Sequence, residues 1–349
     1  MTTSPPQTAP AQQDPWTTRR LLQWMSQTFE QRDLDSPRLS AEILLSHVLE
    51  CERLRLYMEQ DRPASPAERD TLRDLVKRAL NHEPIQYLTG EARFFGLDFK
   101  ADRRALIPRP STETIIEHVL QAERRANTPP EPDPVPEPIS DEEPDQPDAD
   151  DTERSDETPS QPERAPERPK APPPAPIRIA DICTGSGCIA VALAKNLPHA
   201  TITATDISPD ALALAQENAD RHDVADQIDF REGDLLEPLT QSQAGEPLFD
   251  WILANPPYIP DHEWDAVEPN VKDHEPHLAL RASPDGLTFV RTLIEHARPL
   301  LTPGGSLMIE LAACTAAQAA DHARSHGWTN PVILKDHEDY DRVLLLKNS

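Results

Sequence analysis

Five short apolar runs, at 177–182, 201–206, 227–231, 249–254 and 305–311, alternate with segments of helical spacing at about 188–197, 209–222, 284–301 and 313–326. A strand followed by a helix and then another strand makes a right-handed crossover to a parallel neighbour. The second half of the chain is therefore expected to be a doubly wound α/β domain. Two further runs, 331–335 and 341–347, lie too close together for a crossover and are expected to form an antiparallel pair at the sheet edge.

The first part of the chain has a different period. Leu21, Met25 and Phe29 share one helical face, with Leu22 beside them. A second helix opens at Ser36-Pro37 and carries Leu39, Ile43, Leu44 and Val48. A third opens at Ser65-Pro66, with Glu68 three residues after the serine in the pattern of a capping box, and runs through Leu72, Leu75, Val76 and Ala79. Residues 16–83 read as a small helical domain. From 84 to 110 the pattern alternates around Gly90 and Gly96, with Tyr87, Phe94, Phe95 and Phe99, as expected of a β-hairpin connector. The α/β domain then takes 111–349.

Residues 127–176 interrupt that domain. They hold 16 of the 39 prolines, 15 acids and four basic residues, with no aromatic residue and no glycine. Such a stretch buries too little apolar surface to offset the entropy of ordering and is expected to be a disordered insertion, as are residues 1–15 at the start. It carries −11 of the chain's formal charge of −27, so −16 remains elsewhere. That surplus of acid argues against binding through nucleic-acid phosphates or anionic lipid. The four cysteines form no CxxC pair, which points away from a zinc site or a disulfide framework and towards a reduced, cytoplasmic setting. The longest apolar run, 188–194, is too short to span a bilayer.

Two segments carry chemistry. The strand 177–182 ends in Asp181-Ile182-Cys183-Thr184-Gly185-Ser186-Gly187, and the glycines let backbone N–H groups approach a ligand at the start of the next helix. Asp206, 21 residues after Gly185, closes the second strand where an acid can hold both hydroxyls of a ribose. An adenosine-type cofactor is expected, and these residues alone do not separate NAD from S-adenosylmethionine. The fourth strand runs into Asn255-Pro256-Pro257-Tyr258. Two prolines stiffen this loop at the carboxyl end of a parallel strand. There the Asn255 side-chain oxygen and the Pro256 carbonyl can accept the two N–H bonds of a planar amide or amino group, with Tyr258 as a wall.

The order of these motifs resembles S-adenosylmethionine-dependent methyltransferases that act on amide or exocyclic amino nitrogens. Pro84-Ile85-Gln86-Tyr87-Leu88-Thr89-Gly90 and Leu106-Ile107-Pro108-Arg109-Pro110-Ser111-Thr112-Glu113 narrow the resemblance to the protein-glutamine methyltransferases of peptide chain release factors, the PrmC/HemK family. Glu275-Pro276, Asp285-Gly286-Leu287, Pro303-Gly304-Gly305 and Asp341-Arg342-Val343 are similar to it as well. The resemblance implies a Rossmann-like, seven-stranded methyltransferase domain preceded by a helical domain that helps grip the release factor. It implies methyl transfer to the glutamine of a Gly-Gly-Gln motif in class 1 release factors, without direct nucleic-acid binding. It places Cys183, Thr184, Gly185, Ser186 and Gly187 at the cofactor's methionine end, with Asp181 behind them. Asp206 falls at the ribose, Asp234-Leu235 beside the adenine, and Asn255, Pro256, Pro257 and Tyr258 at the reacting amide, with Asn255 also a cofactor contact and Arg109 a substrate contact.

Cys183 stands where the family usually has a glycine, as it does in related enzymes that methylate a glutamine of a large-subunit ribosomal protein; that protein is the rival substrate. The intact Ile107-Pro108-Arg109-Pro110 block favours the release factor. Glu310-Leu311-Ala312 and Thr315 depart from the family pattern late in the chain. A DNA adenine methyltransferase would need a basic recognition region, a dehydrogenase would leave Asn255–Tyr258 without a role, and a non-catalytic adaptor would be expected to have lost the cofactor residues. His274 and His277 suggest a solvated loop and no metal site. Arg109 serves equally well as a brace for the hairpin, Trp251 reads as core, and Cys188 as a packing residue.

Overall fold

A computed structural model describes residues 15–127, 175–240 and 249–349. The expected disordered start and most of the acidic, Pro-rich insertion lie outside the described residues.

Five helices come first: α1 (Thr18–Glu30), α2 (Pro37–Val48), α3 (Arg53–Met58), α4 (Pro66–Ala79) and α5 (Ile85–Thr89). The caps are local. Thr17 Oγ1 accepts from the Arg20 N–H, and Ser65 and Glu68 close the reciprocal capping box, with Glu68 also held by Arg62 at 2.6 Å. Met25, Phe29, Leu44, Leu45, Leu56 and Leu72 form the centre of one apolar cluster, each side chain contributing about 1.5–3 kcal/mol by leaving water. Leu39 stays 40% exposed on α2.

The connector departs from its expected form. Residues 85–89 are a helical turn whose Leu88 and Ile85 pack into the helical cluster, ended by Gly90 at φ 75°. The hairpin itself is shorter: β1 (Glu91–Phe94) and β2 (Leu97–Lys100) join through Phe95-Gly96 with φ of 48° and 75°. Both central residues are left-handed, as the twist of a two-residue hairpin requires. The alternation of aromatic residues hid the helical turn because Tyr87 and Leu88 fit either period.

Next come α6 (Glu113–Asn127), β3 (Ile177–Ile182), α7 (Cys188–Asn196), β4 (Ala200–Asp206), α8 (Pro209–Arg221), β5 (Ile228–Glu232), α9 (Glu237–Thr240) and β6 (Phe249–Ala254). The chain closes with α10 (Pro269–Lys272), α11 (Thr288–His296), β7 (Leu301–Glu310), α12 (Ala316–Ser325), β8 (Val332–Lys335) and β9 (Asp341–Lys347). The helix expected over 284–301 is only α11. A left-handed Gly286 precedes it, and Pro299 lies in the short 3-10 turn Arg298–Leu300 that follows.

Seven strands form one sheet in the order β5-β4-β3-β6-β7-β9-β8. The first five are parallel to their neighbours, and β9 runs antiparallel to both β7 and β8. One face packs on α6 and α7 through residues such as Ile115, Val119 and Leu193, and the other on α11 and α12 through Val290, Leu293 and Ala319. Register then positions the site. Ile182 pairs with Thr205 on one side and Ala254 on the other, so Cys183, Asp206 and Asn255 leave adjacent strand ends together. This is the carboxyl edge where open α/β sheets bind ligands.

Candidate active site

A cavity of about 220 Å³ opens at that edge. Of the residues the sequence assigned to the site, Cys183, Thr184, Gly185, Ser186, Asp206, Asp234, Leu235, Asn255, Pro257 and Arg109 line it. Asp181, Gly187, Pro256 and Tyr258 do not; the last three each adjoin a lining residue in the chain, and Asp181 is hydrogen-bonded to the lining Thr184.

The glycine loop is tied to Asp206. Its carboxylate accepts from the Gly185 N–H through Oδ2 at 2.9 Å and from the Ser208 N–H through Oδ1 at 2.9 Å. Burial pushes this carboxyl above the ordinary aspartate value, and the backbone donors only partly offset that. Asp181 is fully buried. Its Oδ2 accepts from Thr184 Oγ1 at 2.6 Å and from the Ala190 N–H at 3.1 Å, while Oδ1 has no partner among the described residues. Desolvation raises its pKa to about 7.

Backbone shape accounts for the loop residues. Gly187 has φ 78°, and a Cβ there would lie 3.0 Å from that of Ala215, so it allows α7 and α8 to approach. Cys183 takes φ 59° and Leu235 φ 45°, left-handed conformations that cost a non-glycine residue about 1–2 kcal/mol. Both face the cavity. Cys188 sits at the start of α7, where the helix end favours a thiolate, yet burial pushes its thiol up and it packs against the core.

Asn255 is oriented by a network that sequence reading missed. Its Nδ2 donates to Thr112 Oγ1 at 3.2 Å, and Thr112 Oγ1 donates to Glu310 Oε2 at 2.7 Å. Glu310, fully buried on β7, also accepts from Ser111 Oγ at 3.1 Å and from the Tyr258 hydroxyl at 3.4 Å. With its nitrogen committed to Thr112, Asn255 has its oxygen to offer to the cavity. Burial raises the Glu310 carboxyl above its ordinary value, and the hydroxyl donors pull it back down.

Glu275 was the second omission. It lies between a half-buried histidine, His274, and an exposed one, His277, which hid its role, but its own side chain is buried. It accepts from the Ile107 N–H at 3.0 Å and pairs with Arg109. The arginine therefore braces the 106–109 segment along the cavity wall. The flanking histidines lie outside this contact: His277 Nε2 is 2.8 Å from the Lys272 carbonyl and His274 Nε2 is 3.2 Å from that of Asn81. Trp251 is core and donates from Nε1 to Glu123 at 2.7 Å.

Comparison with known proteins now bears on this geometry. Residues 20–90 match the family model described as the PrmC N-terminal domain, and residues 171–279 match the methyltransferase small domain. The release factor glutamine methyltransferase of Chlorobaculum tepidum is 36% identical over 94% of this chain and 96% of its own. That of Geobacter sulfurreducens is also 36% identical, with the same coverage. The one from Rhodopirellula baltica is 32% identical over 96% of this chain and 97% of its own. The chain belongs to the release factor glutamine methyltransferase family. The sheet order and the preceding helical unit are those of a methyltransferase with an amino-terminal helical domain, as the resemblance implied. Among the described residues no helix is long and apolar enough to cross a membrane.

Proposed function

We propose that this chain transfers a methyl group from S-adenosylmethionine to the side-chain amide nitrogen of the glutamine in the Gly-Gly-Gln motif of class 1 release factors. The observation that carries the reading is Asn255 at the cavity wall, its amide nitrogen spent on Thr112, beside a glycine loop tied to Asp206.

The residues present fit the cofactor. Asp206 offers a carboxylate to two ribose hydroxyls and is held in place by two backbone N–H groups. Ile207, Asp234 and Leu235 give an adenine slot with one polar edge. Cys183, Thr184, Gly185, Ser186 and Gly187 serve the methionine end, and the unpartnered Oδ1 of Asp181 behind them suits a cationic donor. When bound, S-adenosylmethionine supplies an electrophilic methyl carbon on a sulfonium sulfur.

An amide nitrogen is a poor nucleophile because its lone pair is delocalised into the carbonyl. Asn255 Oδ1 and the Pro256 carbonyl would accept its two N–H bonds and hold the nitrogen in line with the methyl carbon. Pro257 would wall the amide plane, with Tyr258 next to it in the chain and bonded to Glu310, and the prolines keep the loop from moving away. Positioning in a site largely closed to water then supplies most of the rate.

The substrate's route is a second cleft of about 610 Å³ between the helical unit and the catalytic domain, meeting the cavity at Ile107 and Arg109. Asp33, Asp35, Glu83 and Glu268 line it, a charge suited to a basic protein segment. Incubation with purified release factor and S-adenosylmethionine, followed by peptide mass analysis, tests the reading. A single methyl on the Gly-Gly-Gln glutamine is expected; modification of a large-subunit ribosomal protein alone would move the chain to the rival substrate.

A further inference from the structure

Away from the cavity, the carboxyl ends of α11 and α12 bring together Glu295, His322 and His326. His322 lies in the last turn of α12 and His326 caps that helix four residues on, and their ring centroids lie 4.2 Å apart. His322 Nε2 is 2.9 Å from Glu295 Oε1, and His326 Nε2 is 3.8 Å from the same oxygen. All three ligand atoms lie within 4.8 Å of one another. Tetrahedral ligands on zinc, with bonds of about 2.0–2.1 Å, stand about 3.4 Å apart. Small side-chain rotations would bring this trio to that spacing.

A second feature points the same way. His326 Nδ1 is 3.0 Å from the His322 carbonyl. A carbonyl only accepts, so Nδ1 carries the proton and in the neutral ring Nε2 keeps its lone pair facing Glu295. Backbone carbonyls hold metal-ligating histidines in this way, setting tautomer and ring direction together. Both helices end here, and their carbonyl-rich ends favour a cation. The nearby Arg324 is engaged with Asp321 at 2.5 Å. His322 is about one-fifth exposed and Glu295 and His326 about two-fifths, so an ion from solvent can reach the trio.

We propose that Glu295, His322 and His326 form a binding site for a borderline divalent cation of the zinc type, which clips α11 to α12 and leaves one coordination position to water. Two imidazoles and one carboxylate favour zinc over magnesium or calcium, which prefer all-oxygen shells. None of the three lines the catalytic cavity, so the clip is a stabilising element and takes no part in methyl transfer.

The test is calorimetric titration of zinc chloride into the full-length, chelator-stripped protein, with thermal melts in parallel. One equivalent is expected to bind at micromolar concentrations and to raise Tm by about 4 °C at a hundredfold excess over Kd. His322→Ala with His326→Ala should remove both effects, and Glu295→Gln should weaken binding at least tenfold. Unchanged methyl transfer by these variants would show them folded. Zinc binding that persists undiminished in the double variant, or no binding to the starting protein, would overturn the proposal.

Discussion

Asp206 and Thr112 show how single side chains set the site's chemistry. Asp206 must be ionised to accept two hydroxyls, and burial has raised its pKa, so protonation removes its contribution as pH falls. S-adenosylmethionine affinity should therefore decline as pH falls, more steeply in the unmodified protein than in Asp206→Asn. That variant should bind about 10–100-fold more weakly at pH 8 and close the gap at low pH. Calorimetry across that range checks the sign; parallel curves would contradict it. Thr112→Val should lower kcat about 10–100-fold with little change in cofactor affinity, because Asn255 loses the partner that orients it. Thr112→Ser, which keeps the hydroxyl, should restore most of the rate. The placement of Asp206 at the end of β4 and of Asn255 just after β6 was legible in sequence, because each lies where an apolar run stops inside a contiguous motif. Thr112 and Glu310 were not read as a pair, because 198 residues separate them and only the sheet brings them together. Glu275 was hidden differently, as a buried acid in a segment that reads as solvated loop.

Elements hold one another through few, buried polar contacts. Asn218 on α8 is fully buried; its Oδ1 accepts from the Lys100 N–H at 2.7 Å. Its Nδ2 donates to the Ser186 carbonyl at 2.9 Å and to that of Lys100 at 3.2 Å. One side chain thus joins the hairpin, the glycine loop and a helix. Asn218→Ala should cost about 2–4 kcal/mol in urea unfolding, since it strands buried backbone groups. A loss below 0.5 kcal/mol would mean the hairpin is held by its ion pairs to α8, Glu91 with Arg221 at 2.6 Å and Lys100 with Glu217. Periodicity located the parallel strands to within a few residues at either end, since apolar runs between caps leave little choice. It failed at the short α5 and α3, where one or two turns carry no repeated face. It also overran α11, where Gly286 and Pro299 outweighed the apolar pattern.

At the scale of the molecule, two units divide the labour. The catalytic domain presents Asp206 and Asn255 from strand ends on either side of β3, and the helical unit forms one wall of an acidic cleft leading to them. In the sequence the division is suggested by the shift from helical spacing to strand–helix alternation. The cleft was not legible, because its acids come from α-helical turns and loops far apart in sequence. On the proposed function, Asn255 holds the reacting amide and is not needed to hold the cofactor. The most direct measurement is labelled methyl transfer to purified release factor by the unmodified protein and by Asn255→Ala, with S-adenosylmethionine affinity measured on both. Transfer is expected to fall about 100-fold or more in the variant with affinity within a few-fold, and no label is expected on a factor whose Gly-Gly-Gln glutamine is alanine. Undiminished transfer by Asn255→Ala, or a fall in rate explained by lost cofactor binding alone, would contradict it.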